Sequence, residues 1–272
     1  MRTLPLWLVP LAAGCWPYIP RQLPVDDPNA TIDPVTLGDD DDDGPGWSAA
    51  CAEGPNKTGP WNDHPIARAG VDTRSSDYSF DAGVGAVLDA AKNASNPKNV
   101  NLTITDAIVT AVDDDGPTLN AMIADKSGTV VLYRLPVDFA VTSLYPGDRV
   151  QVRATEVLDY GGIPEITEGT VEPTGIGENV FVRDGMNGDA LDFDRNPLDL
   201  HEVWGELVTG GTPCGGGMEC FDLDHGANRV VGFRAPEGSV GKGDCVHLIA
   251  PLAAFDGVPE LSMDHPDWYR TY

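Results

Sequence analysis

The sequence predicts an all-β protein in which two tandem five-stranded barrels follow a disordered acidic N-terminal tether. The first observation behind this prediction is an internal repeat, because several sequence blocks of 99–173 recur in the same order in 201–272. The second is that each copy alternates apolar and polar residues with a period of two and is rich in β-branched residues. The third is that 31 glycines and 23 prolines in 272 residues supply many turns between short strands.

Residues 1–15 have the features of an export signal. Arg2 gives a minimal positive start, and the apolar run that ends at Ala13 is too short to span a bilayer as a mature helix. Small residues directly before Cys15 resemble the lipobox of bacterial lipoproteins, which implies a lipid on that cysteine. The expected location is therefore the bacterial cell envelope, with an exported chain anchored in the outer membrane or at the cell surface. An ordinary signal peptide that is cut nearby is the alternative.

Residues 16–46 form the predicted tether. Prolines recur along the segment, and five consecutive aspartates occupy 39–43. Such a segment has little to bury and repels itself, so we expect it to remain disordered. Residues 47–98 contain aromatic anchors and one possible short helix within 81–93, where apolar residues recur at helical spacing.

The repeat sets the remaining boundaries: barrel 1 spans 99–173, a linker spans 174–200 and barrel 2 spans 201–272. The sequence pairs Val130 with Val230, Tyr133 with Phe233 and Arg134 with Arg234. The Gly-Asp turn at 147–148 recurs at 243–244, and the Pro-Glu pair at 164–165 recurs at 259–260. Five short strands in so few residues fit a small closed barrel, because closure removes exposed sheet edges.

These blocks resemble the OB-fold, and most of all the OB-type modules of secreted bacterial proteins. The residues that carry the resemblance are 124–133, 147–152 and 160–162, which recur at 220–233, 243–248 and 255–257. The resemblance implies a fold and not a chemistry, since the motifs are hairpin and barrel-corner turns.

The net charge of −26 disfavours nucleic acid as a partner, because a strongly negative surface repels phosphate. Barrel 1 has four basic residues against twelve acidic ones, and barrel 2 has four against eleven. Tyr133 with Arg134, and Phe233 with Arg234, form a possible ligand face through stacking. The alternative is that the aromatic rings belong to the core and the arginines form salt bridges at the rim.

No complete catalytic motif is present, and we expect neither an enzyme nor a cofactor. Asp222, Asp224 and His225 are weak candidates for a metal site, since their spacing is local and incomplete. The sequence therefore favours a non-enzymatic cell-envelope lipoprotein whose barrels bind an unidentified protein, glycan or small ligand, or serve structurally. Two alternatives are a nucleic-acid-binding accessory to extracellular nucleases and a divalent-metal-dependent surface protein.

Four cysteines remain once Cys15 carries lipid, and an even number in an exported chain suggests two disulfides. Cys214 and Cys220 flank a loop with three glycines, which can bend back freely. The period of two turns Cys245 outward, toward a segment that lies on the barrel. Cys51 lies in such a segment. We therefore expect Cys214–Cys220 and Cys51–Cys245.

Overall fold

The structure is a computed structural model that describes residues 49–72, 78–113, 118–136, 144–176, 178–186, 191, 197–226, 230–255, 258–261 and 266–272. The export segment with Cys15 and the tether 16–46 lie outside the described residues. Within the described part of the chain, no helix is long and apolar enough to cross a membrane.

Barrel 1 is a closed five-stranded barrel. Its strands are β2 (Lys98–Asp113), β3 (Thr118–Asp125), β4 (Gly128–Pro136), β5 (Arg149–Tyr160) and β6 (Ile163–Gly175). They close in the order β2-β3-β4-β6-β5, with β4 and β6 parallel and the other neighbours antiparallel. Val150, Val152 and Ala154 are fully buried on β5, whereas Arg153 between them is exposed, as the alternation predicts.

Barrel 2 repeats this connectivity. Its strands are β8 (Leu200–Leu207), β10 (Met218–Asp224), β11 (Val230–Pro236), β12 (Cys245–Phe255) and β13 (Val258–Leu261). They close in the order β8-β10-β11-β13-β12 and back to β8, with β11 and β13 again parallel. Two short strands add to it, β9 (Thr212–Gly215) on β10 and β14 (Tyr269–Thr271) on β12. The predicted all-β class with two five-stranded OB-type barrels is confirmed.

The register of the repeat differs from the sequence alignment by one residue in the third strand. Val130 and Leu132 are buried in the core of barrel 1, whereas Val231 and Phe233 are buried in barrel 2. Val130 therefore corresponds to Val231. The shift ends at Arg134, because Leu135 and Pro136 pair with β3 as Ala235 and Pro236 pair with β10. Tyr133 and Arg134 together therefore stand where barrel 2 has Arg234.

Helix α2 (Val84–Ala91) covers barrel 1 from outside the repeat. Val84, Val87 and Ala91 are buried in the same core as the barrel strands. The buried carboxylate of Asp125, at the end of β3, caps this helix, since its Oδ2 accepts hydrogen bonds from the backbone N–H groups of residues 82, 83 and 84 at 2.7–3.0 Å.

A different segment covers barrel 2, and we call residues 49–72 the strap. It contains α1 (Ala49–Ala52), a 3₁₀ turn (Pro65–Arg68) and β1 (Gly70–Asp72). Strand β1 pairs in parallel with β7 (Asn179–Asp184), which pairs in parallel with β8, so part of the predicted linker is a strand of the sheet. Among the described residues, two disulfides are formed, Cys51–Cys245 and Cys214–Cys220. The first ties the strap to β12.

The barrels meet at two apolar contacts. In the larger one, Ala111 and Met122 of barrel 1 pack with Leu200 and Ile249 of barrel 2 and with Ile66 of the strap. In the smaller one, which we call the junction, side chains of barrel 1 meet side chains of barrel 2; its members are Met122, Val131, Ile163, Leu198 and Ala253. The strap therefore touches both barrels.

Candidate nucleic-acid interface

The outer surface of barrel 1 carries a stacked arginine and tyrosine at the end of β4. The Arg134 guanidinium lies 5.2 Å from the centroid of the Tyr133 ring. Arg134 is exposed and Tyr133 is half-buried. The backbone of Arg134 is left-handed, with φ 52°, and its N–H donates to Asn120 Oδ1 at 3.0 Å. This local geometry turns the arginine out of the strand, so the pair presents a flat, cationic surface to solvent.

Phe233 and Arg234, which the sequence pairs with Tyr133 and Arg134, do not form such a surface in barrel 2. Phe233 is buried in the core, where it contacts the Tyr269 ring edge-on at 5.1 Å between centroids. Arg234 is 5% exposed, and its Nε lies 3.9 Å from Glu260 Oε1. The rim salt bridge and core ring that the sequence offered as the alternative describe barrel 2, while the stacked pair describes barrel 1.

A second cation lies on the polar face of barrel 1. Arg153 is exposed on β5, where it stands opposite Thr103 on β2 and Thr170 on β6. It lines an open groove of about 430 Å³ with Thr155, Thr167, Glu168, Gly169 and Thr170. Hydroxyls and a guanidinium can contact phosphate or sugar oxygens, whereas Glu168 opposes an anion in the same groove.

The weak metal candidates do not converge. Asp222 and Asp224 face away from the core of barrel 2, because Leu223 between them is fully buried in it. Asp224 Oδ1 accepts from Gly226 N at 2.8 Å, which is a turn contact. Among the described residues, no three His, Cys, Asp or Glu side chains are grouped so that they could hold a metal ion.

A buried polar network under the strap was not predicted from the sequence. His247 is fully buried, and its Nε2 lies 2.8 Å from Glu202 Oε1. Arg270 Nε donates to His247 Nδ1 at 3.3 Å, and its guanidinium lies 4.8 Å from the Trp61 ring. Because Nδ1 accepts this hydrogen bond, the proton of a neutral His247 lies on Nε2 and is donated to Glu202.

A second histidine, His64 of the strap itself, is held neutral. Burial is the main cause that lowers the pKa of His64 to about 4. Its Nδ1 accepts from Ile66 N at 3.2 Å and its Nε2 lies 3.1 Å from the Ile249 carbonyl, so the proton belongs on Nε2. Isolated histidines far apart in a sequence carry no signal that would place them in one network.

Comparisons with known proteins give structural likeness only. No protein-family profile and no curated protein sequence matches the chain. The tetrameric p202 HIN2 is similar at 9% identity and a TM-score of 0.33, over 65% of this chain and 95% of that chain. The Ifi202 HINa domain in complex with 20 bp dsDNA is similar at 12% identity and a TM-score of 0.31, over 65% and 98%. A murine DNA-binding protein bound with dsDNA is similar at 8% and 0.34, over 64% and 97%.

Two expectations drawn from charge are corrected. The negative charge disfavoured nucleic acid as a partner, and the sequence favoured barrels that bind a protein, glycan or small ligand or serve structurally. Several of the similar structures contain double-stranded DNA, and both expectations are withdrawn. The physical reason is that net charge is an average over the chain, whereas binding depends on the side chains that one surface presents.

Proposed function

We propose that the tandem barrels bind nucleic acid through the outer surface of barrel 1, with Tyr133 and Arg134 as the stacking pair. The observation that carries the proposal is the Arg134 guanidinium 5.2 Å from the Tyr133 ring, on an exposed strand end. Aromatic rings and arginine planes stack on nucleic-acid bases without sequence preference, at about 1–3 kcal/mol per base. The protein is proposed to be a binding module and not an enzyme.

The charge of the chain sets how such binding depends on salt. With a net charge of −26, few phosphates are neutralised and long-range repulsion opposes association. We expect a shallow dependence of the logarithm of the binding constant on that of salt, with a slope of roughly −1 to −2, since each neutralised phosphate contributes about −0.7 to −0.9. Accessible bases favour stacking, so single strands should bind more tightly than duplexes.

Fluorescence anisotropy with labelled single-stranded and double-stranded oligonucleotides tests the proposal. Arg134→Gln should weaken binding about 5-fold to 30-fold, in line with the loss of one stacking contact. Lys242→Gln is the matched control, because it removes one exposed positive charge from barrel 2. Equal losses in the two variants would show only a charge effect, and the absence of binding at low salt would overturn the proposal.

We also propose that the chain is exported and anchored by lipid at Cys15. The support is the short apolar run followed by small residues before that cysteine. Detergent phase partition tests this in cells that export the full chain. Wild type should follow the detergent and Cys15→Ala the aqueous phase, while equal partition would remove the anchor from the proposal.

A further inference from the structure

Glu165 is a buried carboxylate at the surface of barrel 1 that faces barrel 2. It lies on β6 and is 8% exposed. Within the described part of the chain, no side chain or backbone group donates a hydrogen bond to it or forms an ion pair with it. Ile166, the next residue, points into the core of barrel 1, so Glu165 points out of the barrel.

In barrel 2, the equivalent glutamate has an arginine beside it. Glu165 stands beside Val131 in the parallel pair of β4 and β6, and Glu260 stands beside Gly232 in the equivalent pair of β11 and β13. Arg234, two residues after Gly232, lies 3.9 Å from Glu260. Two residues after Val131 comes Tyr133. Barrel 1 therefore keeps the glutamate of the repeat but has a tyrosine at the position of its arginine.

Glu165 lies on the face of barrel 1 that forms the junction with barrel 2. Ile163 lies two residues before it on the same face of β6, and Val131 lies beside it on β4. Both side chains pack with Leu198 and Ala253 of barrel 2. On its other side, Glu165 stands opposite Leu158 of β5. The carboxyl group is thus placed among apolar side chains where the two barrels meet.

Charged groups flank this face but already have partners. From the barrel 2 side, Asp199 forms an ion pair with Arg183 at 2.6 Å, and Glu260 faces Arg234. On β5, Glu156 accepts a hydrogen bond from Thr167. On β4, the flanking titratable group is Tyr133. Burial is the cause that raises the pKa of the Glu165 carboxyl to about 7.

We propose that the junction between the barrels is pH-sensitive: it is closed while Glu165 is protonated and loosens once this carboxylate is charged. An ionised carboxylate among apolar side chains is costly, and separation of the two faces hydrates it. The open junction leaves Glu165 in water, where it titrates near its ordinary pKa of 4.5. The free energy that favours the closed junction therefore falls as pH rises from 4.5 to about 7. It changes no further above pH 7.

Hydrogen exchange at the two sides of the junction measures this opening. The readout is the protection of amides in 163–166 and 252–254, corrected for the intrinsic pH dependence of exchange. Between pH 4.5 and 7.5, protection in the wild-type chain should fall on the order of 100-fold, since a shift of this size corresponds to about tenfold per pH unit. Constant protection over this range would overturn the proposal.

Variants separate Glu165 from other titrating groups. Glu165→Gln removes the charge with little change of shape, and its protection should not fall with pH. Glu168→Gln, at an exposed position of the same strand, is the matched control and should behave as the wild type. Tyr133→Arg restores the residue pair of barrel 2 and should also weaken the pH dependence. The same fall in Glu165→Gln as in the wild type would assign the effect to another group and reject the proposal.

Discussion

The two barrels share one strand order but are covered by different elements. Barrel 1 packs against helix α2, whose first turn is capped by the buried Asp125 carboxylate. Barrel 2 is covered by the strap, which is fixed by Cys51–Cys245 and by the polar network around His247. A five-stranded barrel of this size leaves apolar surface at its ends and sides. The comparison shows that this surface can be covered from outside the repeat, by a helix in one copy and by an extended segment in the other.

We expect the largest loss of stability when the disulfide that ties the strap to β12 is removed. Cys51→Ser with Cys245→Ser opens a loop that spans a sequence separation of 194 residues, and the loop-entropy model gives about 5 kcal/mol of lost stability. Cys214→Ser with Cys220→Ser, with a separation of 6, should cost about 2 kcal/mol. Urea unfolding measures both. Equal losses would contradict the view that the strap is the main stabilising cover of barrel 2.

The next effect tests the cover of barrel 1. Asp125→Ala removes the acceptor of four backbone N–H groups, three at the start of the helix and that of Ser127, and we expect a loss of about 2–3 kcal/mol in the unfolding free energy. Asp125→Asn keeps one acceptor oxygen and should lose less. Asp81→Ala is the control, since Asp81 is exposed at the same helix entrance and accepts only from Gly83 N and Lys126. A melt of Asp125→Ala unchanged from wild type would show that the helix is not needed.

Stability should change with pH in opposite directions through His64 in the strap and Glu165 in barrel 1. His64 has a pKa near 4 in the fold and near 6.5 when unfolded, so the stability it allows is lost as pH falls from 6.5 to 4. Glu165 acts in the reverse direction, because its raised pKa makes stability fall as pH rises from 4.5 to about 7. The two effects, each on the order of 2 kcal/mol, should nearly cancel in wild-type unfolding between pH 4.5 and 6.5.

Single variants separate the two contributions to the unfolding free energy that nearly cancel in the wild type. In Glu165→Gln, the unfolding free energy should rise from pH 4.5 to 6.5, because only the histidine titration remains. In His64→Gln, it should fall over the same range. Urea denaturation at several pH values provides the measurement. Identical slopes in the two variants would show that neither group controls the pH dependence.

The sequence predicted much of the fold and less of the site. The repeat and its alternation were sufficient for two closed barrels, because the period of two follows from burial of one face of each strand. The same alternation turned Cys245 outward on β12, where the structure pairs it with Cys51. It did not fix the register of the third strand, since Val130-Val131 and Val230-Val231 align equally well one residue apart. Because of this one-residue difference, Arg134 is exposed and Arg234 is buried.

Local pattern and composition were enough to predict the strands, their turns, the repeat and the strong negative charge. The elements that cover each barrel, and the polar groups that are buried, are known only from the folded protein. Glu165 and Glu260 show the reason most clearly, because both lie in the same Pro-Glu pair. Glu260 faces an arginine, whereas no described arginine pairs with Glu165. Burial and pairing depend on residues brought together from distant parts of the chain, and no local pattern records them.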